Sequence, residues 1–108
     1  WLFAQAVREM LEISKFLQAD QQVILSVAGV GDLVATGLAS ASKNHTAGME
    51  LARTGRTAIE CEGVMSFPSL VQLVGTRPNL RLLTALDAIL SKGQNVRIVI
   101  QELLYKKA

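Results

Sequence analysis

Apolar residues recur every three or four positions through most of the chain, a spacing typical of helices that bury one face. The first such stretch covers residues 1–18. Its polar residues Gln5, Arg8, Glu9, Glu12 and Lys15 fall mostly opposite the predicted inner positions Phe3, Val7, Met10, Ser14 and Leu17. We therefore predict an amphipathic first helix that carries these polar residues on its outer face.

The same spacing, together with residues that start or stop helices, predicts the other elements. A short helix over Gln21–Ala28, capped by Asp20, is followed by a chain break at Gly29 and Gly31 and by a helix from Asp32 to about Leu38. The next helix covers Asn44–Thr54 and is ended by Gly55, and a link over Arg56–Gly63 connects it to a helix over Val64–Val74. The last two are a helix over Leu80–Leu90, stopped by Gly93, and a helix capped by Asn95 that ends in Lys106-Lys107. Pro68 must lie in the first turn of its helix or kink it. No alternating strand pattern appears, so we predict an all-α fold, one domain over residues 1–108 with about six or seven helices around one core.

Composition narrows the class of protein and its partners. Half of the 108 residues are hydrophobic and 19% are charged, which argues against disorder. The formal net charge is +2 and the basic residues are scattered, so we expect no nucleic-acid partner. A single cysteine, Cys61, excludes an internal disulfide and fits a reducing, cytoplasmic compartment.

One apolar run is long enough to raise the question of a membrane. The run Val23–Ala41 contains nineteen residues and one charge. Asp32 near its centre would cost about 2.5–3.5 kcal/mol on insertion, and three glycines weaken the run further. We expect no membrane span.

Two familiar kinds of site are missing from the sequence. Gly29-Val30-Gly31 begins like a dinucleotide-binding fingerprint, but Val34 stands where a third Gly or Ala belongs, and no βαβ pattern surrounds it. His45 is the only histidine and Cys61 the only thiol, too few ligands for a metal site. We interpret His45 as an exposed residue of a helix start and Cys61 as a small apolar filler.

The best candidate site centres on Asp32, a carboxylate within an apolar, glycine-flanked run. Burying a carboxylate without a partner is costly, so this residue either has a partner or uses its charge. Thr36 follows four residues later, on the same helix face. Lys43 and Asn44 stand at a predicted helix start, where free N–H groups and the helix dipole suit a phosphate. The residues alone leave a simpler interpretation open, in which Asp32 and Asn44 only cap helices and Lys43 is solvated.

At these residues the chain resembles the C-terminal helical domain of the bacterial NAD(P)-dependent glycerol-3-phosphate dehydrogenases. Gly29-Val30-Gly31-Asp32-Leu33-Val34-Ala35-Thr36 is similar to a Gly-x-Gly-Asp-Leu-x-x-Thr segment of that family. Ser42-Lys43-Asn44 is similar to its Ser-Arg-Asn motif, and Glu62-Gly63-Val64 to a Glu-Gly-Val that begins the next helix. The resemblance extends in order over nearly the whole chain.

The resemblance implies an oxidoreductase that passes a hydride between NAD or NADP and C2 of dihydroxyacetone phosphate or glycerol 3-phosphate. Asp32 would sit beside a catalytic lysine, Thr36 would touch the substrate, Lys43 and Asn44 would hold the phosphate, and Lys43 and Glu62 would lie near the cofactor. The nucleotide-binding domain that binds most of the cofactor, and the lysine itself, are expected before Trp1. The chain would then supply the substrate-binding half of an active site and would not be active alone; a homodimer is compatible with this arrangement.

Lys43 departs from the family pattern, because it replaces an arginine and loses the bidentate fork that suits phosphate. We expect weaker binding of phosphate or cofactor, or a changed substrate. The alternative to an enzyme half-site is a non-catalytic helical interaction or dimerisation module derived from the same family. Sizing the isolated chain and titrating it with ligand would separate the two.

Overall fold

The computed structural model describes residues 1–39 and 42–105, apart from the side chain of Thr36. The described part contains no strand, and the all-α prediction is confirmed. Its elements are α1 (Leu2–Phe16), α2 (Gln21–Ile24), a π-helical turn (Val27–Gly31), α3 (Asp32–Leu38), α4 (Lys43–Thr54), α5 (Glu62–Val74), α6 (Arg81–Leu90) and α7 (Val96–Tyr105). The predicted helix end at Lys106-Lys107 lies outside the described residues. None of the described helices has the length and apolar character that crossing a membrane requires.

Three predicted helix boundaries are confirmed by local chemistry. The Asp20 carboxylate accepts a hydrogen bond from the Gln22 N–H at 2.9 Å, and the Asn95 side chain accepts one from the Ile98 N–H at 3.1 Å. Both are the bonds expected of an N-cap. Gly55 ends α4 with a φ of 79°, a left-handed conformation that favours glycine.

The core is built by α1 and by α4 to α7, around two clusters of buried apolar side chains. The members of the first are Phe67, Val74, Leu80 and Leu83, and those of the second are Ala85, Ile89, Val99 and Leu103. Helix α6 contributes to both clusters and so runs through the middle of the domain. The segment from α2 to α3 contributes no described side chain to either cluster.

The predicted orientation of α1 is wrong in one important respect. Ser14 is buried as predicted, but Gln5 and Glu9, predicted on the outer face, are buried too, whereas Phe3 is 48% exposed. Glu9 is buried because its carboxylate accepts hydrogen bonds from the N–H groups of Leu82 and Leu83, at 2.7 and 2.9 Å. It thereby caps α6 from a distant part of the sequence.

The predicted break at Gly29 and Gly31 is also wrong. The second helix ends at Ile24, four residues before the predicted end, and the glycines lie in the π-helical turn that continues into α3. A Cβ added to Gly29 would lie 2.1 Å from the carbonyl oxygen of Ile24, so only glycine permits this packing. The Asp32 N–H donates to the Val27 carbonyl, and α3 therefore does not start with a free N-terminus at Asp32.

Helix α5 begins at Glu62, two residues before the start at Val64 that periodicity predicts. Glu62 is also the residue at which the family's Glu-Gly-Val motif begins this helix. Pro68 lies in its second turn, not its first. The proline has no N–H to donate to the carbonyl of Val64, four residues earlier. The early start brings Glu62 and Gly63 into the first turn of α5.

Candidate functional site

The start of α4 is capped by Ser42, not by Asn44. The hydroxyl oxygen of Ser42 accepts a hydrogen bond from the His45 N–H at 3.4 Å, and the helix begins at Lys43. The interpretation of Asn44 as the N-cap is therefore wrong, because a serine two residues earlier takes that role. The side chain of Asn44 is left available for another contact.

Asn44 links the start of α4 to the start of α5. Its side-chain oxygen Oδ1 accepts a hydrogen bond from the Gly63 N–H at 3.1 Å, across nineteen residues of sequence. A Cβ on Gly63 would lie 2.8 Å from the same oxygen, so the contact needs a glycine there. The segments Ser42-Lys43-Asn44 and Glu62-Gly63-Val64, which the sequence singles out separately, meet at this bond.

His45 links the start of α4 to the end of α3. Its Nδ1 lies 3.1 Å from the Gly37 carbonyl oxygen. Because a carbonyl oxygen can only accept, Nδ1 must carry the hydrogen. His45 lies at the start of α4, as interpreted from the sequence, but it is half-buried and not exposed. The side chain satisfies one of the carbonyls that the last turn of a helix leaves unpaired.

Asp32 is the first residue of α3, and its side chain is exposed. The sequence argument for a carboxylate buried in apolar surroundings is not met within this chain. Apolar side chains nevertheless surround it in sequence, and two of them, Val27 and Val34, are exposed as well. The side chain of Thr36 lies outside the described part of the chain.

Lys43 and Glu62 directly precede the two residues that this hydrogen bond joins, Asn44 and Gly63. Each is the first residue of its helix, and both are exposed. Among the described residues, the N–H groups of Lys43 and Asn44 have no acceptor. The start of α4 thus offers one cation and two N–H donors that no described residue accepts, an arrangement suited to an anion. Glu62 offers a hydrogen-bond acceptor beside it.

An apolar cavity of about 420 Å³ lies behind this link, between α1, α4, α5 and α6. Asn44 and Gly63 line it together with Cys61, which is 5% exposed. The interpretation of Cys61 as a small apolar residue of the interior is confirmed. Glu9 is the one charged residue among the described residues that line the cavity, and its carboxylate is bound to the start of α6. The cavity therefore places no other charged side chain next to the Asn44–Gly63 hydrogen bond.

Residues 1–101 match the family described as the C-terminus of NAD-dependent glycerol-3-phosphate dehydrogenase. The chain belongs to this family. Two glycerol-3-phosphate dehydrogenases [NAD(P)+] illustrate the relationship. The protein of Alcanivorax borkumensis is 33% identical over 112 residues, which cover 96% of this chain and 33% of the relative. The protein of Streptomyces coelicolor is 29% identical over 116 residues, which cover 99% of this chain and 34% of the relative.

The chain spans about a third of the length of these glycerol-3-phosphate dehydrogenases. A third relative, from Erythrobacter litoralis, gives the same proportion, with 29% identity over 95% of this chain and 33% of its own length. No solved structure shows a significant match to the chain. The resemblance drawn from the motifs is confirmed at the level of the family and of its C-terminal region.

Three residues that connect the candidate site were not among the predicted site residues: Ser42, His45 and Gly63. Ser42 could have been found from its position three residues before His45, the spacing of a capping hydroxyl and the N–H it binds. Gly63 could not, because its contact with Asn44 depends on how two helices pack. The same applies to His45, whose acceptor Gly37 lies across the connection between α3 and α4.

Proposed function

We propose that the chain is the substrate-binding half of an enzyme that interconverts glycerol 3-phosphate and dihydroxyacetone phosphate with NAD or NADP. The observation that carries the proposal is the hydrogen bond between Asn44 and the Gly63 N–H. It joins two segments that resemble separate motifs of this dehydrogenase family, in a chain that belongs to it.

The substrate phosphate binds at the start of α4. Lys43 supplies a positive charge, and the N–H groups of Lys43 and Asn44, which no described residue accepts, supply donors at the positive end of a twelve-residue helix. The Asn44 amide nitrogen adds a donor whose direction is fixed, because the oxygen of the same amide is held by Gly63. These features favour a phosphomonoester over a neutral polyol.

Asp32 acts in catalysis from the exposed surface of α3, and Thr36 contacts the substrate from the same helix. An exposed carboxylate flanked by exposed valines becomes buried when another part of the enzyme covers this surface. A catalytic lysine brought by that part would then form a proton-transfer pair with Asp32, a geometry suited to the carbonyl–alcohol conversion. The rest of the enzyme, absent from this chain, would supply both the cover and the lysine.

The cofactor is NAD or NADP, which accepts or donates the hydride at C2 of the substrate. The donor set at the link fits such a group, because Lys43 can pair with a phosphate and the Glu62 carboxylate can accept hydrogen bonds from ribose hydroxyls. Both side chains are exposed and unconstrained by the core. Most of the cofactor would bind to the rest of the enzyme.

Asp32→Asn in the full-length protein tests the proposal. We expect turnover of dihydroxyacetone phosphate to fall at least about a hundredfold, the usual range for loss of an acid–base group, with the protein still folded. Asp20→Asn is the matched control, since Asp20 is also an exposed aspartate at the start of a short helix and asparagine caps as well. Turnover near that of the unaltered protein in both variants would contradict the catalytic role.

The same assay tests the phosphate contact through the Michaelis constant. Lys43→Ala should raise the KM for dihydroxyacetone phosphate about tenfold, the effect of losing one charge-assisted contact of about 1.4 kcal/mol. Lys43→Arg restores the family residue and should lower that KM. Lys15→Ala removes an exposed lysine of α1 and serves as the control. Unchanged KM values for substrate and cofactor in both Lys43 variants would remove Lys43 from the site.

A further inference from the structure

The first turn of α4 is bound on both sides by the side chains of adjacent residues. Asn44 binds the N–H of Gly63 at the start of α5, and His45 binds the carbonyl of Gly37 at the end of α3. The three helices that carry the proposed site residues, Asp32 on α3, Lys43 on α4 and Glu62 on α5, are therefore connected through one helical turn. His45 thereby supplies a side-chain hydrogen bond between α4 and α3.

Helix α3 needs such a tether. The π-helical turn and α3 together cover Val27–Leu38, and a helical segment of this length is at best marginally stable by itself in water. Its segment contributes no described side chain to the two core clusters, so the core does not fix its position. The Gly37 carbonyl lies in its last turn, where carbonyl groups lack an intrahelical partner. The bond from Nδ1 of His45 pairs one of them and attaches the end of α3 to α4.

We propose that His45 is a positioning residue, which fixes Asp32 and Thr36 on α3 relative to Lys43 and Asn44 on α4. The inference rests on the proposed function, because those four residues are its site. His45 itself does not touch the substrate. Loss of its bond releases α3 while Asn44 still holds α4 to α5. The consequence is selective: catalysis and substrate binding weaken, and the cofactor contacts of Lys43 and Glu62 remain.

The identity of the bonding nitrogen provides a sharp test. In His45→Asn the amide nitrogen occupies the place of Nδ1, whereas in His45→Gln it occupies the place of Nε2; His45→Leu has no donor. In the full-length protein we expect His45→Gln and His45→Leu to lower kcat/KM for dihydroxyacetone phosphate about tenfold to a hundredfold, as a displacement of about 1 Å does. The KM for the cofactor should not change, and His45→Asn should retain most of the activity.

A second measurement does not depend on activity. Amide hydrogen exchange of the peptide covering residues 32–38 should be faster in His45→Gln and His45→Leu than in the unaltered protein, and close to normal in His45→Asn. If the unaltered protein does not reduce dihydroxyacetone phosphate, the proposed function fails, and the exchange rates still decide whether His45 holds α3. Equal exchange in all variants, equal losses of activity in all three, or a matching rise in the cofactor KM would overturn the inference.

Discussion

At the scale of single residues, Glu9 is the clearest case of a charged side chain that stabilises the fold. Its side chain is 4% exposed and accepts three hydrogen bonds, from the Gln5 amide at 2.7 Å and from the N–H groups of Leu82 and Leu83. Leu80 precedes α6 and gives it no side-chain cap. Glu9 therefore supplies both the cap and a negative charge at the positive end of α6, the helix shared by the two core clusters.

Glu9→Gln should lower the free energy of unfolding by about 2–4 kcal/mol. The glutamine keeps one acceptor oxygen but turns an NH₂ group towards backbone or side-chain donors, which leaves buried donors without an acceptor. Urea denaturation of the chain measures the effect. Glu12→Gln is the control on the same helix, because Glu12 is exposed and, within the described part of the chain, bonds only to the exposed Asn79 side chain. It should change stability by no more than about 0.5 kcal/mol. Equal effects of the two substitutions would contradict the capping role.

The capping residues of the domain show which residue roles the sequence can predict. Asp20 and Asn95 cap helices two and three residues away, so their chemistry is visible locally. Glu9 binds Leu82 and Leu83 more than seventy residues away. Helical periodicity places Glu9 on the outer face of α1, and only the packing of α1 against α6 reverses that assignment.

At the scale of elements, the π-helical turn is the part that periodicity could not predict. The bounds of α4 and α6 and the start of α7 lie within one residue of those predicted, because their apolar spacing follows the regular helical repeat. The π-helical turn has a wider repeat and is marked only by its two glycines, which are also typical of a chain break. It carries the chain directly into Asp32, and such turns are frequent at functional sites.

Gly29→Ala should destabilise the protein by at least about 2 kcal/mol, since the added methyl group would meet the backbone of Ile24 and the turn would have to rearrange. Gly48→Ala is the matched control. Gly48 lies inside α4 with nothing within 4 Å of an added Cβ, so alanine should stabilise that helix by about 1 kcal/mol. Urea denaturation of both variants tests the prediction. A Gly29→Ala protein as stable as the unaltered one would show that the close approach to Ile24 is not required.

At the scale of the whole molecule, the helical architecture follows from the sequence pattern, but the placement of the site follows from packing and from family membership. Residue types alone left Asp32, Lys43 and Asn44 open to interpretation as caps or solvated groups. The bond between Asn44 and Gly63 and the one between His45 and Gly37 connect the segments that carry them. Neither bond could be read from local spacing, since each joins separate helices.

The molecule divides into a packed body and an exposed apolar segment, and this division predicts how the chain behaves in solution. Large apolar side chains are exposed throughout the segment from α2 to α3: Val23, Leu25, Val27, Val34 and Leu38. Patches of this kind mark surfaces that contact another protein.

If the rest of the enzyme normally covers this segment, the chain alone should self-associate weakly as its concentration rises. Val27→Thr should then shift the chain towards monomer without loss of stability. Ile98→Thr, a similar change at an exposed position on α7, is the control. Sedimentation velocity over a hundredfold range of concentration measures the outcome. A dimer that persists at the lowest concentration and ignores Val27→Thr would instead favour the dimerisation module, because such an interface would not depend on a surface left uncovered by a missing domain.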